Sequence, residues 1–319
     1  MMKSIRTLVR QDREKYVIPR RVQDVIPIQK IWEDGIFLTG GRYAKTFRFT
    51  DINYQVASEP DKEKMFRGYS ALINSLDCGA TTKITIFNHK MSQINFEKSI
   101  LMPMQWDGLD DYREEYNQML LDKATNGNGI VQEKFLTVSV RKKDVDAARS
   151  FFARVEADLS SHFAALGSTC GPMNAMERLQ ILHRFYRRGE ENEFRFSLRD
   201  SARKGHSFRD YICPDSIERH SDYLQIGERY ARVLYLKDYA SYIQDDFVSE
   251  LTDLNRDMML SIDMVPIPTD EAVREVENRL LGVETNITNW QRRQNSNNNF
   301  SAVVPYDMEL QRKESKEFL

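Results

Sequence analysis

Three cysteines in 319 residues are too few for a disulfide framework. Cys78, Cys170 and Cys213 are also too widely spaced to pair as metal ligands, so they read as reduced thiols. Histidine is equally sparse. His89, His162, His183, His206 and His220 include no pair one, two or four apart, which removes both the helical zinc pair and the His-x-His pair of a metal-binding strand. Glycine never clusters beside a lysine and a hydroxyl residue, so no backbone cradle for a nucleotide phosphate is written here; Gly127 and Gly129, like Gly40-Gly41, read as turns. A Gly-x-Ser-x-Gly elbow is missing too. Adjacent acids such as Asp110-Asp111, Glu114-Glu115 and Asp245-Asp246 point in different directions along a helix and read as solvated faces.

Long hydrophobic runs are absent. Val233-Leu-Tyr-Leu236 and Met258-Met-Leu260 fall far short of the roughly 20 residues a spanning helix needs. No apolar stretch follows the N-terminal positive charges in the manner of a secretory signal, and a cytoplasmic location is expected. Excess charge of one sign is also lacking, and a formal net charge of −2 argues against a general polyanion binder. Only a local patch could serve nucleic acid.

What the chain does have is an internal echo. Arg42-Tyr-Ala-Lys-Thr-Phe-Arg-Phe-Thr-Asp51 and Arg229-Tyr-Ala-Arg-Val-Leu-Tyr-Leu-Lys-Asp238 align without a gap. Each alternates at period two and reads as a strand, preceded by a glycine turn and followed by a helical pattern and another strand. The expected fold is therefore α+β: two related mixed-sheet units of the ferredoxin-like kind, each with helices packed on one face, and no RecA-like ATPase domain.

Within that plan residues 1–22 form a basic arm carrying Lys3, Arg6, Arg10, Arg13, Lys15, Arg20 and Arg21. Residues 23–188 form the first unit. Its helices are expected after Pro60, over Asp110 to Lys123, and after a capping Asp144, with a further helix from Met173 to about Arg187. Residues 189–222 show no clear period and link the units. The second unit spans 223–284, with a strand from Met258 to Val265 and a helix from Asp270 to Leu281. An Asn-rich surface loop is expected over 285–301, and 302–319 read as the start of a helix.

One region mixes charge with rings. Arg184, Arg187, Arg188, Arg195, Arg199, Arg203, Lys204 and Arg209 interleave with Phe185, Tyr186, Phe194, Phe196 and Phe208. Such a mixture can anchor the linker to the core, dock an acidic partner, or grip single-stranded nucleic acid by neutralising phosphates and stacking on bases. Glu190, Glu191, Glu193 and Asp200 dilute the patch.

Taken together, Arg13-Glu-Lys-Tyr-Val-Ile-Pro-Arg20, the run from Ile36 to Thr50, and Phe135-Leu-Thr-Val-Ser-Val140 resemble the start of a conjugal transfer ATPase of type IV secretion systems, the CagE/TrbE/VirB group, and most closely its branch from Gram-positive conjugative elements. The resemblance implies an N-terminal α+β region that seats the motor on inner-membrane secretion-channel subunits, at the inner face of the membrane. It also implies a separate C-terminal ATPase domain, whose Walker motifs have no counterpart here. The expected role is thus non-catalytic docking and assembly in DNA transfer. Expected partners are the channel subunits, the chain's own ATPase domain and, by self-association, further copies. ATP and Mg would come only with the C-terminal domain, so no cofactor is expected in this piece of a longer or split protein. The alternative is a single-stranded nucleic-acid-binding module of a mobile element.

Overall fold

In a computed structural model the described residues are 19–52, 54, 56–76, 79–90, 101–126, 130–237, 247–254, 256–296 and 303–318. Most of the basic arm, Cys78, Asp238 and residues 297–301 of the Asn-rich stretch lie outside them. The fold is mixed α/β, with antiparallel sheets and eight α-helices among the described residues.

Strands β1 (Ile28–Ile31), β2 (Phe37–Thr39) and β3 (Arg42–Phe49) run as a meander. Gly40 and Gly41 have φ of 55° and 73°, the left-handed pair that a two-residue hairpin of matching twist requires. Helix α1 (Glu59–Asn74) starts with Pro60 in its first turn and leads to β4 (Ala80–Lys90). After α2 (Asp110–Asn126) comes β5 (Ile130–Val140), then α3 (Val145–Ala165). Asp144 caps α3 as expected, accepting a hydrogen bond from the Ala147 N–H at 2.8 Å. Strand β6 (Cys170–Pro172) returns to β3.

The large sheet runs β1-β2-β3-β5-β4, with β6 also on β3. Phe47 of β3 sits opposite Leu136 of β5, and Leu136 opposite Ile84 of β4. This face packs Phe47, Leu136, Val138 and Val140 against Leu72 of α1 and Phe151, Phe152, Leu159 and Phe163 of α3. The opposite face is not bare. Phe135, which alternates with Leu136, joins Phe87, Met173 and Ile181, so α4 (Ala175–Tyr186) covers the second side. The expectation of helices on one face is corrected accordingly: β5 is apolar at both 135 and 136, and a strand apolar on both faces must be covered on both.

The echo has a different outcome from its template. Only Arg229–Ala231 forms a strand, β9, in a small sheet with β7 (Ile217–Arg219) and β8 (Leu224–Ile226); residues 232–237 have no regular structure. Strand β10 (Met258–Met264), expected in the second unit, pairs with β4 across seven positions and completes the first sheet. The reason lies in the edge. β4 is long, and its Asn88 side chain donates to the carbonyl of Thr252, at the end of helix α6 (Phe247–Thr252), which delivers the chain to that edge.

Residues 189–222, read as a featureless link, hold the short helix α5 (Leu198–Lys204) and much of a second core, where Phe196, Ile212 and Cys213 meet Ile26, Ile28, Phe37 and Leu179. The Asn-rich loop is corrected as well. Helix α7 runs from Thr269 to Ser296, through Asn286 and Asn289. Leu280, Val283, Ile287 and Trp290 continue the apolar stripe at spacings of three and four, and the Thr285 and Thr288 hydroxyls donate back to the Leu281 and Glu284 carbonyls. Helix α8 (Tyr306–Phe318) packs on α7, with Lys316 3.8 Å from Glu284.

Candidate functional site

Helix α4 is fixed at its start by a reciprocal cap: Asn174 accepts from the Glu177 N–H at 2.9 Å, and Glu177 accepts from the Asn174 N–H at 2.8 Å. Its far end carries the first of the basic residues. Arg184 reaches across the sheet to Glu133 at 2.5 Å, where His89 at 3.0 Å and Arg48 at 3.2 Å meet the same carboxylate. Burial pushes the Glu133 pKa up. The His89 hydrogen bond and the charges of Arg184 and Arg48 outweigh that, and the carboxyl is held below its ordinary value.

Sequence alone did not reveal this four-residue cluster. Period-two alternation puts His89, Glu133 and Arg48 on one kind of face, but only the pairings of β4 with β5 and of β5 with β3 bring them together.

The remaining basic residues divide. Arg187 donates to Glu190 at 2.7 Å, to the Cys213 carbonyl at 2.8 Å and to Asp215 at 3.1 Å. Arg188 pairs with Asp257. Arg209 donates twice to the Ile28 carbonyl, at 2.5 and 3.1 Å. Together with Arg184 these are staples that tie α4 and the following segment to the sheets.

Arg195, Arg199, Arg203 and Lys204 behave differently. All four are exposed, and none has an ion pair or side-chain hydrogen bond among the described residues. Helix α5 carries Arg199, Arg203 and Lys204, and Arg195 lies just before its cap. Its Ser197 cap accepts from the Asp200 N–H, its inward Ser201 donates to the His206 carbonyl at 3.0 Å, and Gly205 at φ 69° ends it. With Phe196 and Ser201 buried, Arg199 and Arg203, four apart, share the outer side. Two of the acids that dilute the region in sequence are engaged elsewhere: Glu190 binds Arg187, and Glu191 accepts from the Gly189 N–H at 2.8 Å.

The rings are placed as core. Phe194 and Phe196 lie 6.4 Å apart, Phe196 meets Tyr211 edge-on at 5.1 Å, and His183 lies 5.0 Å from Phe194. Phe208 is packed against the same cluster, and of the five aromatics weighed for stacking Phe185 is the exposed one.

Elsewhere, a cleft of about 320 Å³ opens between α1, the sheet and the end of α3, lined by residues such as Phe49, Met65, Tyr69 and Phe163. Two of its hydroxyls, those of Thr50 and Ser168, bond to each other. Of the thiols, Cys170 and Cys213 are free; burial, reinforced by Glu156, pushes Cys170 up to about 11, so it is unreactive at neutral pH. Among the described residues no group of three or more His, Cys, Asp or Glu could hold a metal ion, and no helix is long and apolar enough to cross a membrane. No protein-family model and no curated protein matches the chain.

Proposed function

We propose that this chain is a non-catalytic docking and assembly region of a type IV secretion conjugation ATPase, held by protein contact at the cytoplasmic, inner face of the membrane. The observation that carries the reading is the division of the basic residues: four are consumed as internal staples, while Arg199, Arg203 and Lys204 of helix α5, and Arg195 just before its cap, are unpaired among the described residues. A fixed, desolvatable cluster of cations on an otherwise near-neutral chain suits an acidic protein surface. Recognition is its chemistry, and ATP with Mg belongs to a separate motor domain.

Two further observations support the reading. The strand order β6-β3-β5-β4, with α1 and α3 in the crossovers, suits the ferredoxin-like unit expected from the element pattern, and an α+β region is what the family resemblance implies. Phe196 is buried and Phe194 and Phe208 are partly buried against the same core, which favours this reading over a platform for stacking bases.

Co-purification with inner-membrane secretion-channel subunits tests the proposal. Arg199→Glu with Arg203→Glu should reduce capture about tenfold or more, Arg199→Lys with Arg203→Lys should retain most of it, and capture should fall as salt rises. Undiminished capture by the Glu variant would overturn the assignment of α5. Tight single-stranded DNA binding lost in that variant would promote the alternative.

A further inference from the structure

The echoed segment presents a contrast between like residues in unlike surroundings. Phe47 in β3 is 1% exposed, whereas Leu234, its counterpart, is 81% exposed. Tyr230, Val233 and Tyr235 are 72%, 76% and 81% exposed, and Leu236 is 49% exposed. Four consecutive large apolar residues cannot share one side of a strand, so both sides of this segment are uncovered. Its backbone is equally free: β9 pairs only with β8, and residues 232–237 make no backbone hydrogen bond among the described residues. By contrast β3, which the segment echoes, has neighbours along both edges.

We infer that residues 230–237 pair with the same segment of a second copy of this chain, antiparallel and about a two-fold axis between Val233 and Leu234. The charges select this occupant and register. In it Val233 faces Leu234, Arg232 faces Tyr235, Ala231 faces Leu236 and Tyr230 faces Lys237, so each cation meets an aromatic ring and no like charges oppose one another. A shift by one residue in one direction sets Arg229 against Lys237, and a shift in the other sets Arg232 and Lys237 against aliphatic side chains. Parallel in-register stacking places every cation on its own copy. The two-fold arrangement is closed, because it uses the same β9 edge of each three-stranded sheet and so does not propagate through that segment. Beside it Tyr223 stacks on His220 at 4.4 Å and meets Tyr230 at 5.5 Å, an aromatic flank that continues the same patch.

Sedimentation velocity on the full 319-residue chain over a range of concentrations tests this. The expected result is a reversible monomer–dimer equilibrium, with Leu234→Lys weakening it about tenfold or more because the change counts twice at a two-fold interface. Tyr235→Arg sets two guanidiniums face to face and should weaken it similarly, whereas Tyr235→Arg combined with Arg232→Tyr recreates the cation–ring pair and should restore dimerisation. All the substituted side chains are solvent-exposed, and circular dichroism checks that the variants fold. A chain that stays monomeric, a mass indifferent to Leu234→Lys, assemblies larger than two, or a double variant no better than Tyr235→Arg alone would each overturn the inference.

Discussion

Arg178 lies over the face of Phe37, its guanidinium carbon 3.9 Å from the ring centroid, while Nη1 donates to the carbonyls of Gly35 at 2.6 Å and Ala44 at 2.8 Å. Among the described residues no carboxylate pairs with this half-buried cation; a ring face and two carbonyl dipoles hold it in place of an acid. It joins α4 to the turn before β2 and to β3, and so positions the helix that carries the basic residues. Arg178→Ala should cost about 2–4 kcal/mol in urea unfolding, since it strands two carbonyls and removes the ring contact. Arg178→Lys should recover only part of that, because an ammonium cannot lie flat on the ring while reaching both oxygens.

Gly35 sits at φ 81°, and a Cβ built on it would lie 1.9 Å from the Met173 carbonyl oxygen. Both the backbone conformation and the close approach demand glycine. Gly35→Ala should therefore destabilise by more than about 2 kcal/mol. Gly41, at φ 73° with nothing within 4 Å, is the internal control, and Gly41→Ala should show only the left-handed penalty of about 1–2 kcal/mol. Equal losses at the two sites would contradict the packing described between the turn and Met173.

Glu133 is the anion that two arginines and a histidine share. Glu133→Gln removes the charge and leaves three basic groups facing one another, at a cost of about 2–3 kcal/mol by chemical denaturation. The folded pKa lies below the unfolded value. The carboxylate's contribution is thus fully present above an unfolded pKa of about 4.3, and it is lost as pH falls through the folded one. The Gln variant should accordingly show a shallower acid limb, which unfolding curves between roughly pH 5 and 3 would record.

His183 gives a second pH dependence. It is 3% exposed, its Nδ1 has no hydrogen-bond partner among the described residues, and burial, followed by the charge of Arg187, lowers its pKa. The unfolded chain takes up its proton first, at about pH 6.5, so stability falls as pH drops below that value towards the folded pKa. His183→Leu should flatten stability between about pH 7 and 5.5, and it should not weaken the fold at neutral pH. A slope in this window that persists in the variant would assign it to another group.

Much of the first sheet is legible in sequence because its signals are local. The glycine pair of the β2–β3 turn, Pro60 in the first turn of α1, the Asp144 cap and the alternation of residues 135–140 each act over a few residues, and all are realised. Long-range pairing is another matter. Nothing local in Met258–Met264 distinguishes a strand that joins β4 from one that founds a second sheet, and both were compatible with its pattern. The basic region shows the same limit: Arg187 and Arg203 look alike in sequence, and only the position of Glu190 and Asp215 around one, and of open solvent around the other, separates staple from surface.

Composition and spacing by themselves determined local features such as the Gly40-Gly41 turn and the Asp144 cap, and placed eight basic residues between 184 and 209. Tertiary structure decided which of those residues remain available, and it decided that two segments that echo one another differ, one as an inner strand of the large sheet and the other as an uncovered edge. The physical reason is that backbone propensity is fixed by neighbours in sequence, whereas burial, ion pairing and strand partnership are fixed by neighbours in space.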